Sequence, residues 1–137
     1  MTDCIFCKIL AGEIPATKVY EDDTVLAFLD IHPNAKGHTL VVPKTHARNV
    51  LHMSENALCD LMRPVQKIAT AVMKGVGAHG VNIAINNEEA AGQIVFHTHV
   101  HIIPRINGSS YRSHTSYEDG EAEEVAGRIR EVLDIRH

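Results

Sequence analysis

Three histidines occupy alternate positions in the stretch His97-Thr98-His99-Val100-His101. Alternation of this kind is typical of a β-strand, which we predict from Phe96 to Ile103, ending before Pro104. Because neighbouring side chains of a strand point to opposite faces, the three imidazoles would emerge on one face, about 6.5 to 7 Å apart along the strand. Each imidazole has a donor and an acceptor to satisfy, so core packing does not explain three in a row. The pattern indicates a metal site or a catalytic site.

Two chemistries use such a row of imidazoles, and the residues alone leave both open. Alternate histidines can bind a zinc ion that activates water, but such a site also needs a third ligand and a carboxylate base. The flanks of the strand supply neither, and the upstream acids Glu88 and Glu89 lie on a predicted loop of unknown direction. Alternatively, a neutral imidazole can attack phosphorus near pH 7 while neighbouring groups fix its tautomer and supply protons.

The remaining elements predict an α+β fold around this strand. Further strands are expected at 18–20, 24–29, 37–43 and 81–85, and the third of these places His38 on the face of Leu40 and Val42. From 54 to 75 the apolar residues repeat with a helical period, and Pro64 should bend or break that helix. A short helix is expected near the C-terminus. This order favours a mostly antiparallel five-stranded sheet with one long helix and a short C-terminal helix.

The bulk composition limits the class of protein. The chain has 137 residues, 45% of them hydrophobic and 22% charged, which suits a single globular domain spanning 1–137. No apolar run approaches the roughly 20 residues of a membrane span. A net charge of −4 gives no electrostatic basis for binding duplex nucleic acid. The start of the chain lacks a secretory signal, so we expect a cytoplasmic protein whose three cysteines form no disulfide framework.

The stretch from Gly92 to Arg105, GQIVFHTHVHIIPR, resembles the signature of the histidine-triad (HIT) family. Four other parts of the chain strengthen the resemblance: Cys4–Ile9 (CIFCKI), Ala27–Ile31 (AFLDI), Gly37–Lys44 (GHTLVVPK) and Asn86. Together they cover residues 4–105 and leave 106–137 as a C-terminal extension. They look most like the bacterial branch of Hint-like nucleoside phosphoramidases.

The resemblance implies a HIT fold and a nucleotidyl hydrolase or transferase that forms a nucleotidyl-histidine on His99. By the same resemblance, His101 and His38 would contact phosphate oxygens and help protonate the leaving group, and the backbone around His97 would orient the nucleophile. The residues implied for nucleotide binding, besides these histidines, are Asp30 for the ribose hydroxyls and Asn86, Gly92 and Gln93 for the phosphate.

The resemblance further implies a purine nucleotide substrate and a homodimer, with no cofactor needed for catalysis. A dinucleoside polyphosphate hydrolase and a nucleotide-binding protein with vestigial activity remain alternatives. One position departs from the family pattern, because Ile94 stands where Hint-like members often have a hydroxyl residue. The substitution bears on substrate preference and rate more than on the class of reaction.

The pair Cys4 and Cys7 has the spacing of half a zinc site. A redox pair would usually open a helix in a βαβ pattern that is not seen here, and free buried thiols are the remaining alternative. His46 is a candidate third ligand. The resemblance implies a closed site of four ligands, Cys4, Cys7, His46 and His97, that binds zinc for structure and takes no part in the reaction. His97 would then serve the metal, and His99 the substrate.

Overall fold

The structure, a computed structural model, describes residues 3–111 and 114–135. Its centre is one five-stranded sheet in the order β1-β2-β3-β5-β4, and every neighbouring pair is antiparallel. The strands are β1 Lys18–Glu21, β2 Val25–Leu29, β3 Thr39–Pro43, β4 Gly80–Ala84 and β5 Val100–Arg105. The predicted α+β fold on an antiparallel sheet is thus confirmed.

Four α-helices accompany the sheet within the described residues: α1 Ile5–Leu10, α2 Glu55–Met62, α3 Val65–Gly75 and α4 Glu121–Ile135. The long helix expected from 54 to 75 is broken at Pro64, which lacks the N–H that a continuous helix needs there. Ser54 begins α2, because its hydroxyl accepts a hydrogen bond from the Ala57 backbone at 3.1 Å. The C-terminal helix has 15 residues and is longer than expected. None of these described helices is long and apolar enough to cross a bilayer.

The two faces of the sheet bury different partners. On one face, Val41 and Val100 pack with α3 and α4 in the larger hydrophobic core. On the other, Leu40 and Phe28 pack with Phe6 of α1 in a smaller core. Leu40 is paired in register with His101, so His101 lies on the α1 face of the sheet.

The strand that was predicted to begin at Phe96 begins instead at Val100, the first residue of β5. At Thr98 both the backbone N–H and the hydroxyl donate to the carbonyl of Ala47, at 2.8 and 3.1 Å. The backbone therefore bonds to the segment after β3 before the strand begins, although His97 and His99 both still contact Phe6 on the α1 face of the sheet. The strand also continues through Pro104, which pairs with Val81 on the β4 side. The pairing of β3 with β5 ends at Ile102, so Pro104 interrupts no ladder on that side.

Candidate functional site

His99 is held in one tautomer by the backbone. Its Nδ1 lies 2.8 Å from the carbonyl oxygen of His97, which can only accept, so we assign the hydrogen to Nδ1. The side chain is 8% exposed, and burial lowers its pKa. The ring of Phe6 packs edge-on against the imidazole, with the centroids 5.1 Å apart. His99 is therefore a neutral imidazole whose Nε2 keeps its lone pair.

His38 and His101 form a hydrogen-bonded pair with a defined direction. The backbone N–H of Asn34 donates to His38 Nδ1 at 3.0 Å, so we assign the hydrogen of His38 to Nε2. That Nε2 lies 3.0 Å from His101 Nδ1, which must accept. His101 consequently carries its own hydrogen on Nε2. The His101 and His99 rings are neighbours, 4.9 Å between centroids, in opposite tautomers: one offers a donor at Nε2 and the other a lone pair.

Asp30 completes this cluster, since its Oδ2 lies 3.7 Å from His38 Nε2. The ligand atoms of Asp30, His38 and His101 lie within 4.8 Å of one another, a separation that a metal ion could bridge. However, a metal would need the lone pair of His38 Nε2, where the hydrogen resides as long as Asn34 donates to Nδ1. The group therefore fits a hydrogen-bond relay better than a metal site.

The buried pair His38 and His101 should make stability depend on pH. Burial lowers the pKa of each to about 4, with Asp30 opposing the shift, whereas a histidine in the unfolded chain has a pKa of about 6.5. From about pH 6.5 down to 4 the unfolded chain binds more protons than the folded one, so the free energy of unfolding should fall as the pH is lowered through this window. Urea denaturation at a series of pH values measures it. His101→Gln should give a shallower fall than the parent or the exposed control His79→Gln, and an unchanged slope would contradict the assignment.

Asn86 and Gly92 face each other across the loop that precedes the histidine segment. Gly92 has a positive φ of 93°, and a Cβ added there would lie 3.7 Å from the Asn86 amide nitrogen. The glycine therefore suits both the left-handed turn and a close approach of another group. Two of the three residues predicted to bind the phosphate are thus close together in this loop.

Gln93 is buried beneath this loop, and its side chain is committed to the protein. Its Oε1 accepts from the backbone of Glu88 at 2.8 Å and from the amide of Asn49 at 3.1 Å. Its Nε2 donates to the carbonyls of Arg48 at 2.6 Å and Val95 at 3.1 Å. These bonds within the described residues use both amide hydrogens and both acceptor positions, so Gln93 shapes the loop from within.

Glu88, which was not predicted to be a functional residue, connects this loop to Arg48 and Asn49. It has a φ of 77° and a ψ of 159°, a conformation that only glycine adopts easily, and it is the one non-glycine at positive φ among the described residues. Its carboxylate accepts two hydrogen bonds from Arg48, at 2.8 and 2.9 Å, and one from Asn49 at 2.7 Å. Arg48 and then Asn49 lower the pKa of Glu88 to about 2. The signal for Glu88 is this backbone strain, which no sequence pattern reveals.

A matched pair of variants tests that strain. Glu88→Ala and Glu88→Gly both remove the carboxylate, but only glycine relieves the positive φ. We therefore expect Glu88→Gly to be more stable than Glu88→Ala by about 1 to 2 kcal/mol. Urea denaturation of both variants measures the difference, and equal stabilities would show that the backbone at this position is not strained.

The second cluster, Cys4, Cys7, His46 and His97, lies at the N-terminus of α1. Their ligand atoms lie within 4.8 Å of one another. His97 Nε2 donates to the carbonyl of Pro43 at 2.9 Å, which leaves the lone pair on Nδ1 facing the cluster.

The distances in this cluster fit a tetrahedral metal. His97 Nδ1 lies 3.1 Å from His46 Nδ1, 3.4 Å from Cys4 Sγ and 3.6 Å from Cys7 Sγ. Four ligands around one zinc ion would be separated by about 3.3 Å for two nitrogens and about 3.6 Å for nitrogen and sulfur. The donor set, its spacing and the tautomer of His97 all suit zinc.

Phe6, which was not predicted from the sequence to be a functional residue, links the two clusters. It lies between Cys4 and Cys7, and its ring packs edge-on against both His97 and His99, with centroids 5.8 and 5.1 Å apart. Its position inside the Cys-x-x-Cys stretch was the available signal. The structure thus brings His38, His99 and His101 together on one side of Phe6 and turns His97 toward the cysteines.

Comparison with known proteins finds a matching family model and chains of similar sequence. The family model described as HIT domain matches residues 11–108. The adenylylsulfatase HINT3 of Arabidopsis thaliana is 39% identical over 137 residues, which cover 96% of this chain and 70% of the relative.

Two solved structures are similar along nearly the whole chain. A zinc-bound histidine triad family protein from Mycobacterium smegmatis is 39% identical with a TM-score of 0.87, and the match covers 99% of each chain. A hypothetical histidine triad nucleotide-binding protein from Sulfolobus tokodaii is 36% identical with a TM-score of 0.90, covering 96% of this chain and 93% of the other.

Proposed function

Because this chain belongs to the HIT domain family, we propose that it is a nucleotidyl hydrolase or transferase acting on purine nucleoside phosphoramidates or related adenylated substrates. The observation that carries the proposal is the pair of opposite tautomers at His99 and His101. One ring offers an unprotonated nitrogen as nucleophile, and its neighbour offers an N–H for a phosphate oxygen. The nucleotide-binding and adenylylsulfatase descriptions of the similar proteins support the same class of substrate.

The reaction would run in two displacements at the α-phosphorus. His99 Nε2 attacks, a nitrogen–phosphorus bond forms on the enzyme, and the bond to the leaving nitrogen breaks as that nitrogen takes a proton from solvent. Water then attacks the nucleotidyl-His99, releases the nucleoside monophosphate and returns a proton to solvent. The carbonyl of His97 holds the ring in place and favours the positive charge that develops on it.

His101 and His38 were expected both to contact phosphate oxygens and to help protonate the leaving group. The geometry favours phosphate contact by His101 alone, because both ring nitrogens of His38 are already hydrogen-bonded, one to Asn34 and the other to His101. With the Asn34 N–H donating to His38 and His38 donating to His101, neither ring can take a second proton without breaking a hydrogen bond. Both therefore act as fixed neutral dipoles, and one such preorganised donor can be worth roughly 3 kcal/mol in a transition state.

The nucleoside would lie on the side of Asp30. One carboxylate oxygen of Asp30 accepts from the backbone of His32 at 2.9 Å, which fixes its direction and leaves acceptor positions for ribose hydroxyls. Ile31, next to it, is 73% exposed and offers an apolar surface for a base. Asn86 and Gly92 would receive the phosphate, with Gln93 supporting the loop from beneath.

The same proposal includes a structural zinc ion and a homodimer. Zinc would be held by Cys4, Cys7, His46 and His97, and its positive charge would stabilise the close approach of their four donor atoms. For the dimer, the support is β4, an edge strand whose Ile83 is 47% exposed. Neither the metal nor the partner takes part in the two displacements.

The decisive experiment is to trap the intermediate. The protein is incubated with adenosine 5′-phosphoramidate, quenched under denaturing alkaline conditions, and digested for mass spectrometry. We expect adenylate on the peptide that contains His99, together with released ammonia and AMP. Diadenosine polyphosphate and adenosine 5′-phosphosulfate, assayed in parallel, distinguish the possible leaving groups. Absence of both adduct and released ammonia would refute the phosphoramidase proposal, and nucleotide binding alone would favour a binding protein.

A further inference from the structure

The turn formed by residues 33–37, between β2 and β3, supplies the N–H that sets the tautomer of His38. Within it, the backbone of Asn34 donates to His38 Nδ1 at 3.0 Å, and the backbone of His38 donates to the carbonyl of Ala35 at 2.9 Å. His38 therefore donates to His101 only as long as this turn holds the Asn34 N–H against His38 Nδ1.

A segment far along the chain fastens both ends of this turn. The backbone of Thr115 donates to the carbonyl of Pro33 at 3.0 Å. The backbone of Gly37 donates to the hydroxyl oxygen of Tyr117 at 2.9 Å. Tyr117 is half-buried, and its ring packs against the core shared by the sheet and α4. This segment lies beyond residue 108, where the match to the family model ends.

Gly37 is the residue of the turn whose close neighbours leave it least room to move. The residue is buried with a positive φ of 101°, and a Cβ there would come within 2.9 Å of a Val76 methyl and 3.3 Å of the Pro104 ring. A buried N–H in so narrow a space depends on its acceptor, because losing that acceptor leaves the full cost of desolvation. The ion pair of Lys36 and Glu121 nearby is partly exposed, so it contributes less to holding the turn.

We propose that Tyr117 is a positioning residue for the reaction: its hydroxyl holds the 33–37 turn so that Asn34 keeps His38 in the Nε2–H tautomer and His101 presents its Nε2–H to the substrate. The kinetic part of this inference rests on the proposed function. The tautomeric part is a property of the unliganded protein and stands independently of it.

The test is Tyr117→Phe, which removes one oxygen and keeps the ring. The matched control is Tyr20→Phe, whose hydroxyl donates to Asp22 in the β1–β2 hairpin and, among the described residues, forms no hydrogen bond with the relay. Long-range nitrogen–proton NMR of the imidazoles reads the tautomer directly, with resonances assigned from His38→Gln and His101→Gln. We expect the parent and the control to show His38 protonated on Nε2 and Tyr117→Phe to show a mixture of tautomers.

Kinetics with adenosine 5′-phosphoramidate should separate positioning from general damage. For Tyr117→Phe we expect kcat to fall roughly tenfold, as for one lost buried hydrogen bond, with KM within about twofold of the parent. An unchanged tautomer overturns the proposal, and so does a changed tautomer with unchanged kcat. If the parent protein does not turn over this substrate, the proposed function fails and the NMR result alone decides the role of Tyr117.

Discussion

Replacement of His99 by alanine is expected to reduce turnover of adenosine 5′-phosphoramidate by a factor on the order of 10⁴ or more. The variant lacks the nitrogen that would form the covalent bond, and water would have to attack the α-phosphorus directly. We expect it to bind AMP still, since Asp30 and the loop of Asn86 and Gly92 are unchanged. Steady-state kinetics and equilibrium binding measure the two effects separately.

The matched control for this variant is His79→Ala, which removes an exposed imidazole immediately before β4. It should retain parental turnover. A His99→Ala protein that keeps more than about a hundredth of the parental kcat would rule out covalent catalysis at this residue. If chelation instead abolished turnover while the fold remained intact, a metal-dependent hydrolase would be the better explanation.

The second large effect is expected from removal of the proposed zinc ligands. In Cys4→Ser/Cys7→Ser, His46 Nδ1 and His97 Nδ1 would remain 3.1 Å apart without a cation between them. We expect the purified parent to contain about one zinc ion per chain and the double variant to contain almost none, with a thermal midpoint roughly 10 °C lower. Metal analysis and calorimetry measure both quantities.

Turnover in the double variant should fall by much less than in His99→Ala. His97 and Phe6 contact His99 from the side of the proposed zinc site, so loosening them should lower kcat by about tenfold without removing the reacting nitrogen. Cys59→Ser, at an exposed cysteine of α2, is the control and should change neither zinc content nor stability. If the parent protein contains no zinc and the double variant has an unchanged thermal midpoint, the cluster is a set of free thiols and imidazoles.

Much of the framework was predictable because it depends on local properties. Runs rich in β-forming residues located the first two strands and period-two alternation the others, and the missing N–H of Pro64 predicted the break between α2 and α3. The histidine-rich stretch and the Cys-x-x-Cys spacing identified the residues able to do chemistry. The start of β5 was wrong, since Thr98 bonds to Ala47 and no pattern in the sequence reports that distant carbonyl.

The sequence by itself determined which residues are available for chemistry and that the chain belongs among HIT proteins. Only the tertiary structure decided what each histidine can do. The hydrogen on His99 is set by the carbonyl of His97, the hydrogen on His97 by that of Pro43, and the hydrogen on His38 by the amide of Asn34. An imidazole has two nearly equivalent nitrogens, so its tautomer is chosen by the partner that folding brings to it, and that partner can lie far away in the sequence.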